Sequence, residues 1–86
     1  MGTRRSVFPG FDKLADQRRQ VVTLLTHERH QLGLSQTEVA ARMQTSQSAV
    51  ARLEAGAGDL RLSTLQRYAA AIGHDLHWRL ERRSEP

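Results

Sequence analysis

Cysteine is absent from this chain of 86 residues, which excludes disulfide bonds and thiolate metal sites. Apolar runs are short, far below the roughly 20 residues that cross a bilayer, and the N-terminus lacks an apolar stretch of the signal-peptide kind. A chain of this length builds one domain around one core. We therefore expect a single soluble, cytoplasmic domain that depends on hydrophobic packing and on a partner subunit.

Basic side chains outnumber acidic ones, with 13 Lys and Arg against 9 Asp and Glu and a formal net charge of +4. This balance favours an anionic partner, with nucleic acid first and an acidic protein second. No catalytic constellation is evident, so we do not expect an enzyme. The pairs His27 with His30 and His74 with His77 lack a third ligand, and we assign no metal and no cofactor.

The N-terminal part of the chain divides into an arm and a helix. Residues 1–11 combine glycine and proline with Arg4 and Arg5, which predicts a flexible basic arm. From Asp12 onward apolar side chains recur at helical spacing until Gly33, which predicts an amphipathic first helix. The apolar positions are Leu14, Val21, Leu24, Leu25 and Leu32.

Two short helices follow, and each has its own start signal. Ser35 and Glu38 have the spacing of a capping box, which predicts a second helix over residues 36–43. Ser46 is suited to cap a third helix, which we expect over residues 47–55. The inward-facing positions of both helices are Val39, Ala40, Met43, Val50 and Leu53.

A fourth helix is predicted after Ser63, which is a further N-cap candidate, and it ends at Gly73. Its buried stripe comprises Leu65, Tyr68, Ala69 and Ile72. Residues 12–73 are therefore expected to form an all-α domain of four to five helices.

The pattern changes after the fourth helix. Leu76, Trp78 and Leu80 alternate with polar residues, which predicts a β-strand over residues 74–82, followed by a loose tail over 83–86. A lone strand leaves its backbone groups without partners, so we expect antiparallel pairing with the same segment of a second copy, with these three side chains in a homodimer interface. The alternatives are a strand that folds on its own domain and a segment that is disordered in the monomer.

Two short helices that cross at a tight turn need small side chains at the crossing and apolar side chains inside the angle. Residues 33–56 supply both, with the sequence GLSQTEVAARMQTSQSAVARLEAG. The segments LSQxExA, SQSxVxRLExG and LSTLxRxAxAxG occur in order along the chain. In these segments, from about residue 17 to residue 73, the chain resembles the lambdoid phage repressor and Cro family, also called the XRE family. The resemblance implies a repressor-like helix-turn-helix domain that binds double-stranded DNA.

In that family the third helix enters the major groove and the second helix crosses the DNA backbone. The resemblance, carried over position by position, implies base reading by one face of the third helix: Gln47, Ser48, Ala49 and Arg52. It implies phosphate contacts by residues at the helix starts and in the turn: Gln36, Thr45, Ser46 and Arg61.

Two residues of the motif, Gln44 and Glu54, are not assigned to DNA contact. Gln44 occupies a turn position that is often glycine in the family, so a left-handed backbone there carries some strain. Glu54, near the end of the third helix, is interpreted as a structural partner for a local arginine or a backbone amide, and not as a base reader.

Two functions stay open at this point. The first is a dimeric repressor of a palindromic operator. The second is an antitoxin, because the size, the fold and the terminal strand resemble HipB-type and HigA-type antitoxins, which bind a toxin protein and repress their own operon. The expected partners are double-stranded DNA and a second copy of the chain, with a toxin protein added in the second case.

Overall fold

The computed structural model describes residues 11–78 and contains four α-helices in that range. Helix α1 spans Phe11–Gln31, α2 spans Gln36–Met43, α3 spans Gln47–Glu54 and α4 spans Leu62–Ala71. This part of the chain has no strand, so the predicted all-α class is confirmed for it. None of the described helices is long and apolar enough to span a membrane. The predicted arm, apart from Phe11, and the predicted tail lie outside the described residues.

Helix α1 buries one narrow stripe of side chains. Val22 and Leu25 lie in the core, and Arg29 continues the stripe one turn later. The sequence assigned Leu24 and Leu32 to the buried face, and this prediction is wrong, because they are 63% and 50% exposed. Successive helical positions are about 100° apart, so Leu24 points away from the stripe. Leu32 follows the last residue of the helix.

Helices α2 and α3 begin where the sequence predicted. The Ser35 hydroxyl accepts the backbone N–H of Glu38 at 3.0 Å, and the Glu38 carboxylate accepts the backbone N–H of Ser35 at 2.7 Å. At α3, the Ser46 hydroxyl accepts the backbone N–H of Ala49 at 3.1 Å. The chain turns between the two helices at Gln44, whose φ of 58° and ψ of 47° confirm the left-handed backbone.

Helix α4 begins before Ser63, so the predicted capping role of Ser63 is wrong. The N-cap residue is Arg61, which makes no side-chain cap hydrogen bond. The Asp59 carboxylate organises this helix start from outside, because it accepts the backbone N–H of Arg61 at 3.0 Å and the hydroxyl of Thr64 at 2.7 Å. An acidic acceptor upstream of the helix therefore takes the place of a serine cap.

The four helices share one hydrophobic core. Helices α1 and α2 each pack against α3 and α4. The predicted inward positions of α2, α3 and α4 are all buried, which confirms the helical periodicity there. The largest fully buried side chains are Val39, Val50, Leu65 and Tyr68.

A buried ion pair joins α1 to α3 beside this core. The Arg29 guanidinium donates to both carboxylate oxygens of Glu54, from Nε at 2.7 Å and from Nη2 at 2.9 Å. Both side chains are only 8% exposed. Arg29 also donates to the Leu34 carbonyl at 2.9 Å, and the Tyr68 hydroxyl donates to Glu54. Burying charge is unfavourable unless the charges are paired and hydrogen-bonded, and both conditions are met here.

These donors keep Glu54 ionised. Burial opposes ionisation, but hydrogen bonds from Arg29, Tyr68 and Gln36 outweigh it and hold the pKa of Glu54 below its ordinary value. Burial, together with the adjacent carboxylate, raises the pKa of Tyr68, so its hydroxyl stays protonated. At neutral pH Glu54 therefore accepts hydrogen bonds and donates none.

The strand predicted over residues 74–82 is not formed in the part of it that the structure describes. Residues 74–78 follow α4 as irregular chain, in which Leu76 and Trp78 are half-buried and Leu76 packs against the core. Within residues 11–78 no neighbouring strand is available to accept or donate ladder hydrogen bonds, which corrects the strand prediction for this single chain. Leu80 lies outside the described residues.

Replacing Gln44 with glycine tests the strain in the turn. Because glycine reaches a φ of 58° without crowding by Cβ, we expect Gln44→Gly to raise the free energy of unfolding by about 0.5–1 kcal/mol in urea titrations. Gly33→Ala is the matched control. Its φ is 71° and an added Cβ meets no atom within 4 Å, so backbone strain alone should lower stability there. A Gln44→Gly variant no more stable than the parent would contradict strain at this turn.

Replacing Arg29 tests the buried ion pair. Arg29→Met leaves the Glu54 charge buried without its cation, so we expect a loss of about 3–5 kcal/mol in unfolding free energy. The control is Arg19→Met, which removes an ion pair to Asp16 at 3.2 Å whose side chains are 60% and 70% exposed. That change should cost less than about 1 kcal/mol. Equal losses for the two variants would show that the buried pair has no special role.

The parent and the Arg29→Met variant should also differ in how their stability depends on pH. The folded protein lowers the pKa of Glu54. The ionised carboxylate therefore makes its full contribution to stability when the pH is above the pKa of glutamate in the unfolded chain, about 4.3. This contribution is lost as the pH falls through the folded pKa. We expect the stability of the parent to decline with acid below about pH 5 more steeply than that of Arg29→Met. Parallel pH profiles would contradict this assignment.

Candidate nucleic-acid interface

One face of α3 turns away from the core and carries four exposed side chains: Gln47, Ser48, Ala49 and Arg52. Val50 and Leu53 occupy the opposite face and are buried. Residues three and four positions apart share a helix face, so Arg52 lies one turn beyond Ser48 and Ala49. The structure brings together, on one exposed face, the residues to which the resemblance assigned base reading.

The N-terminal end of α3 is polar and open. The Ser46 hydroxyl caps the helix and lies 3.2 Å from the hydroxyl of Ser48. Thr45 precedes it in the turn, with an exposed side chain and a backbone N–H that donates to the Ala40 carbonyl at 2.9 Å. A helix N-terminus carries a partial positive charge and free N–H groups, which suits an anion such as a phosphate.

Gln36 connects this exposed face to the buried ion pair. Gln36 begins α2 and Gln47 begins α3, and the Gln47 amide nitrogen Nε2 donates to Gln36 Oε1 at 2.6 Å. The Gln36 nitrogen Nε2 donates in turn to Glu54 Oε1 at 2.9 Å. A continuous chain of hydrogen bonds therefore runs from the exposed Gln47 amide to the Arg29–Glu54 pair. Both groups of the Gln36 amide are engaged in it.

A groove of about 450 Å³ borders α3 on the side of the α3–α4 loop. Its walls include Ala49 and Arg52 of α3, and Ala57, Gly58 and Asp59 of the loop. The Arg52 nitrogen Nη2 donates to the Ala57 carbonyl at 3.4 Å, at the long end of the hydrogen-bond range. A guanidinium has five N–H donors, so this single contact leaves Arg52 able to bind another acceptor. Helix α3 therefore protrudes beside this groove.

Arg61, assigned to phosphate contact, lies at the start of α4 with its side chain 77% exposed. The Asp59 carboxylate accepts hydrogen bonds from its Nε at 3.0 Å and its Nη2 at 2.8 Å. Hydrogen bonds from Arg61 and from Thr64 hold the pKa of Asp59 well below its ordinary value. Arg61 is therefore exposed to solvent but already paired with an anionic side chain, which the sequence did not predict.

Two further arginines bind the ends of helices. Arg42 donates to the Ala71 carbonyl at 2.8 Å, at the end of α4, and Arg67 donates to the Met43 carbonyl, at the end of α2. Carbonyls in the last turn of a helix lack partners within the helix. Both side chains therefore stabilise helix ends, and their cationic character alone does not make them part of the candidate interface.

The sequence did not predict three contacts of the site, for different reasons. The Gln36–Gln47 bond joins residues 11 positions apart, and it depends on the angle at which α2 and α3 cross. Glu54 was expected to pair with a local arginine or a backbone amide, whereas its partner is Arg29, 25 positions earlier. Only the Asp59 contact had a local signal, because an aspartate just before a helix commonly accepts hydrogen bonds from the first turn.

A model of the helix-turn-helix family matches residues 27–78, a range that includes α2, α3 and α4. The chain is also similar to the proteins described as antitoxin HigA1 in Mycobacterium tuberculosis strains CDC 1551 and H37Rv, with 42% identity over 74 residues. These alignments cover 86% of this chain and 50% of each relative, so the chain spans half the length of the curated relatives it matches.

No solved structure gives a significant match to the chain. The family match nevertheless covers more than half of the sequence and contains the capped α2, the left-handed turn and the exposed face of α3. The chain therefore belongs to the XRE-type helix-turn-helix family.

Proposed function

We propose that the protein is a sequence-specific DNA-binding regulator that represses transcription by occupying an inverted-repeat operator as a dimer. The observation that carries the proposal is the exposed face of α3 within a motif of the helix-turn-helix family. A helix with its side chains fits the major groove, which is about 12 Å wide. A dimer bound across a promoter excludes polymerase sterically.

The side chains on this face suit the edges of base pairs. The Gln47 amide can donate to adenine N7 and accept from adenine N6, and the Arg52 guanidinium can donate to guanine O6 and N7. The Ser48 hydroxyl can donate or accept, and the Ala49 methyl group can contact a thymine methyl. Each good pair discriminates against a wrong base by about 1–3 kcal/mol. Sequence preference in this proposal comes from these four residues.

Residues around α3 supply the contacts with the DNA backbone in this proposal: Gln36, Thr45, Ser46 and Arg61. The free N–H groups at the starts of α2 and α3 favour phosphate, and the exposed hydroxyls of Thr45 and Ser46 and the half-buried amide of Gln36 extend the same surface. Arg61 contacts phosphate by exchanging part of its bonding to Asp59 for a phosphate oxygen. The formal net charge of +4 supports attraction to DNA at long range.

A second copy of the chain completes the proposed reading unit. Trp78 is half-buried and borders a groove that also contains Val21 and the exposed Leu24 of α1. We propose that this apolar surface, with Leu76 and Leu80, packs against its counterpart about a two-fold axis. The two copies of α3 then enter successive major grooves about 34 Å apart, one turn of DNA.

Alanine substitution of the polar base readers tests the proposal. A selection from random DNA first identifies the preferred site of the parent. The triple variant Gln47→Ala, Ser48→Ala, Arg52→Ala should then lose at least about 100-fold of its preference for that site over unrelated DNA, measured by fluorescence anisotropy. Its melting temperature should stay close to that of the parent, because all three side chains are exposed.

The control variant is Arg19→Ala, Thr23→Ala, which removes a guanidinium and a hydroxyl from the exposed face of α1. It should keep the preference of the parent. The selected sites should contain two inverted half-sites about 10 base pairs apart, and affinity should fall steeply with added salt. A folded triple variant with parental preference would contradict base reading by α3, and a single half-site bound by a monomer would contradict the dimer.

The similarity to HigA1 favours a second candidate function, an antitoxin. In this version the chain binds a toxin protein and represses the operon that encodes both. Its DNA-reading face is the same, and the toxin binds elsewhere, for which the exposed part of α1 outside the dimer surface, with Arg19 and Thr23, is available. The two candidates therefore share α3 and differ in whether a second surface has a protein partner.

Co-expression separates the two candidates. If the chain is an antitoxin, the product of the adjacent gene should arrest growth when expressed alone, and the chain should restore growth and co-purify with that product. The Gln47→Ala, Ser48→Ala, Arg52→Ala variant should restore growth equally well, because it keeps the surface outside α3. An adjacent product that neither arrests growth nor binds the chain would contradict the antitoxin function and leave the repressor.

A further inference from the structure

We infer that the groove between α3, the α3–α4 loop and α4 binds a small organic carboxylate with an apolar body, and that this ligand competes with DNA for Arg52. The site itself does not depend on the proposed function, whereas the competition with DNA rests on it. The groove has a volume of about 450 Å³. Small-molecule sites usually have roughly 300–1,000 Å³, so the groove is large enough for such a ligand.

The bottom of the groove is apolar. Met43 of α2 and Leu53 of α3 line it and are only 5% and 3% exposed, so they lie at its deepest points. The lining residues that are exposed, such as Arg52 and Arg67, form its rim. Water against apolar surface is readily displaced by an apolar group of matching size. The ligand therefore has an apolar part.

Two arginines give the rim a positive charge. Arg52 comes from α3 and Arg67 from α4. Their guanidinium groups each donate to a backbone carbonyl, that of Ala57 and that of Met43 respectively. A guanidinium has five N–H donors in a planar fork, so both side chains keep donors for the two oxygens of a carboxylate. The ligand therefore has an anionic end.

A carboxylate of the protein, that of Asp59, also lines the groove, and its charge is already compensated. It accepts hydrogen bonds from the backbone N–H and the guanidinium of Arg61 and from the hydroxyl of Thr64. With Arg61, three cations stand in and beside the groove against this carboxylate. A cationic ligand would face more positive than negative charge, and an anionic ligand is favoured.

Backbone contacts hold the loop wall of the groove in place. The N–H groups of Ala57 and Gly58 both donate to the Arg52 carbonyl, at 2.9 Å and 3.1 Å. Gly58 lies so close to α3 that an added Cβ would be 3.1 Å from the Leu53 backbone nitrogen. A wall fixed in this way makes the groove largely preformed, which lowers the entropic cost of binding a ligand.

The groove shares Ala49 and Arg52 with the proposed base-reading face. A carboxylate bound to Arg52 occupies donors that would read guanine, and it places a negative charge close to the DNA. Bound ligand therefore lowers the affinity for DNA, and by linkage bound DNA lowers the affinity for the ligand by the same factor. A small carboxylate then acts as an effector that releases the operator.

Sodium benzoate is the probe, because it joins a carboxylate to a compact apolar ring. An NMR titration of the full chain without DNA should shift the backbone amides of Ala57 and Gly58 and the methyl groups of Met43 and Leu53. The expected Kd is on the order of 1–10 mM. Benzamide has nearly the same shape without the charge and should bind at least about ten-fold more weakly. Inorganic phosphate lacks an apolar part and should leave the Leu53 methyl groups unshifted.

Arg67→Met and Arg42→Met are the matched variants. Both arginines are exposed and donate to a carbonyl at a helix end, but of the two only Arg67 lines this groove. Arg67→Met should weaken benzoate binding at least about ten-fold, and Arg42→Met less than about two-fold. Thermal melts verify that both variants fold. Arg52→Met removes the other guanidinium from an exposed position, should weaken benzoate binding likewise, and decides the question if Arg67→Met does not fold.

Three results overturn the site. The first is the absence of shifts at Ala57, Gly58 and Leu53 with about 50 mM benzoate, well above the expected Kd. The second is equal weakening by Arg67→Met and Arg42→Met, or unchanged binding by folded Arg52→Met. The third is binding of benzamide or inorganic phosphate as tight as that of benzoate. Tight phosphate binding would indicate a groove for the DNA backbone and not for an organic carboxylate.

Competition with DNA is measured separately by fluorescence anisotropy on the selected site, against sodium chloride at equal concentration, because salt alone weakens DNA binding. About 50 mM sodium benzoate should lower the affinity of the parent about five-fold or more beyond the effect of chloride. Arg67→Met should lose most of this difference, and Arg42→Met should keep it. Benzoate that binds in the groove without changing DNA affinity overturns the competition. A parent that binds benzoate but prefers no DNA sequence overturns the proposed function and supports the site.

Discussion

An arginine and a glutamate buried side by side hold α1 against α3, and the geometry of the candidate interface depends on this contact. Arg29 lies in the buried stripe of α1, at a position where helical periodicity calls for an apolar side chain. Glu54 is the last residue of α3. The pair therefore fixes the C-terminal end of α3 inside the protein, and the N-terminal end, with Gln47 and Ser48, is exposed to solvent.

Apolar burial and the ion pair contribute differently to this small domain. Side chains such as Val39, Val50 and Leu65 supply non-directional stability, at about 1.5–3 kcal/mol each. A buried ion pair adds little net stability over an apolar substitute of the same shape, since desolvation offsets the attraction. Its geometry is strict, however, because every donor must meet an acceptor. In this fold the pair specifies how α1 and α3 meet, and the apolar core supplies the stability.

Local signals allowed much of this structure to be predicted from the sequence. The serine caps and the periodicity of α2 and α3 act within a few residues, so these helices were predicted closely. Predictions failed where a charged side chain takes the place of the expected apolar or serine residue: Arg29 continues the buried stripe of α1, and Asp59 replaces Ser63 at the start of α4. The strand over residues 74–82 needed a neighbouring strand that the described residues do not contain. The exposed α3 face was predicted correctly, but not its link to Glu54.

The division of α3 into an anchored inner face and an outer face has a consequence for how such a protein changes over time. Ser48, Ala49 and Arg52 are exposed and contribute nothing to the core, so other side chains can occupy these positions at little cost in folding. Val50, Leu53 and Glu54 do not share that freedom. Under the base reading proposed above, a few substitutions on an unchanged scaffold therefore suffice for a new target sequence, and gene duplication followed by change at three positions separates two regulators.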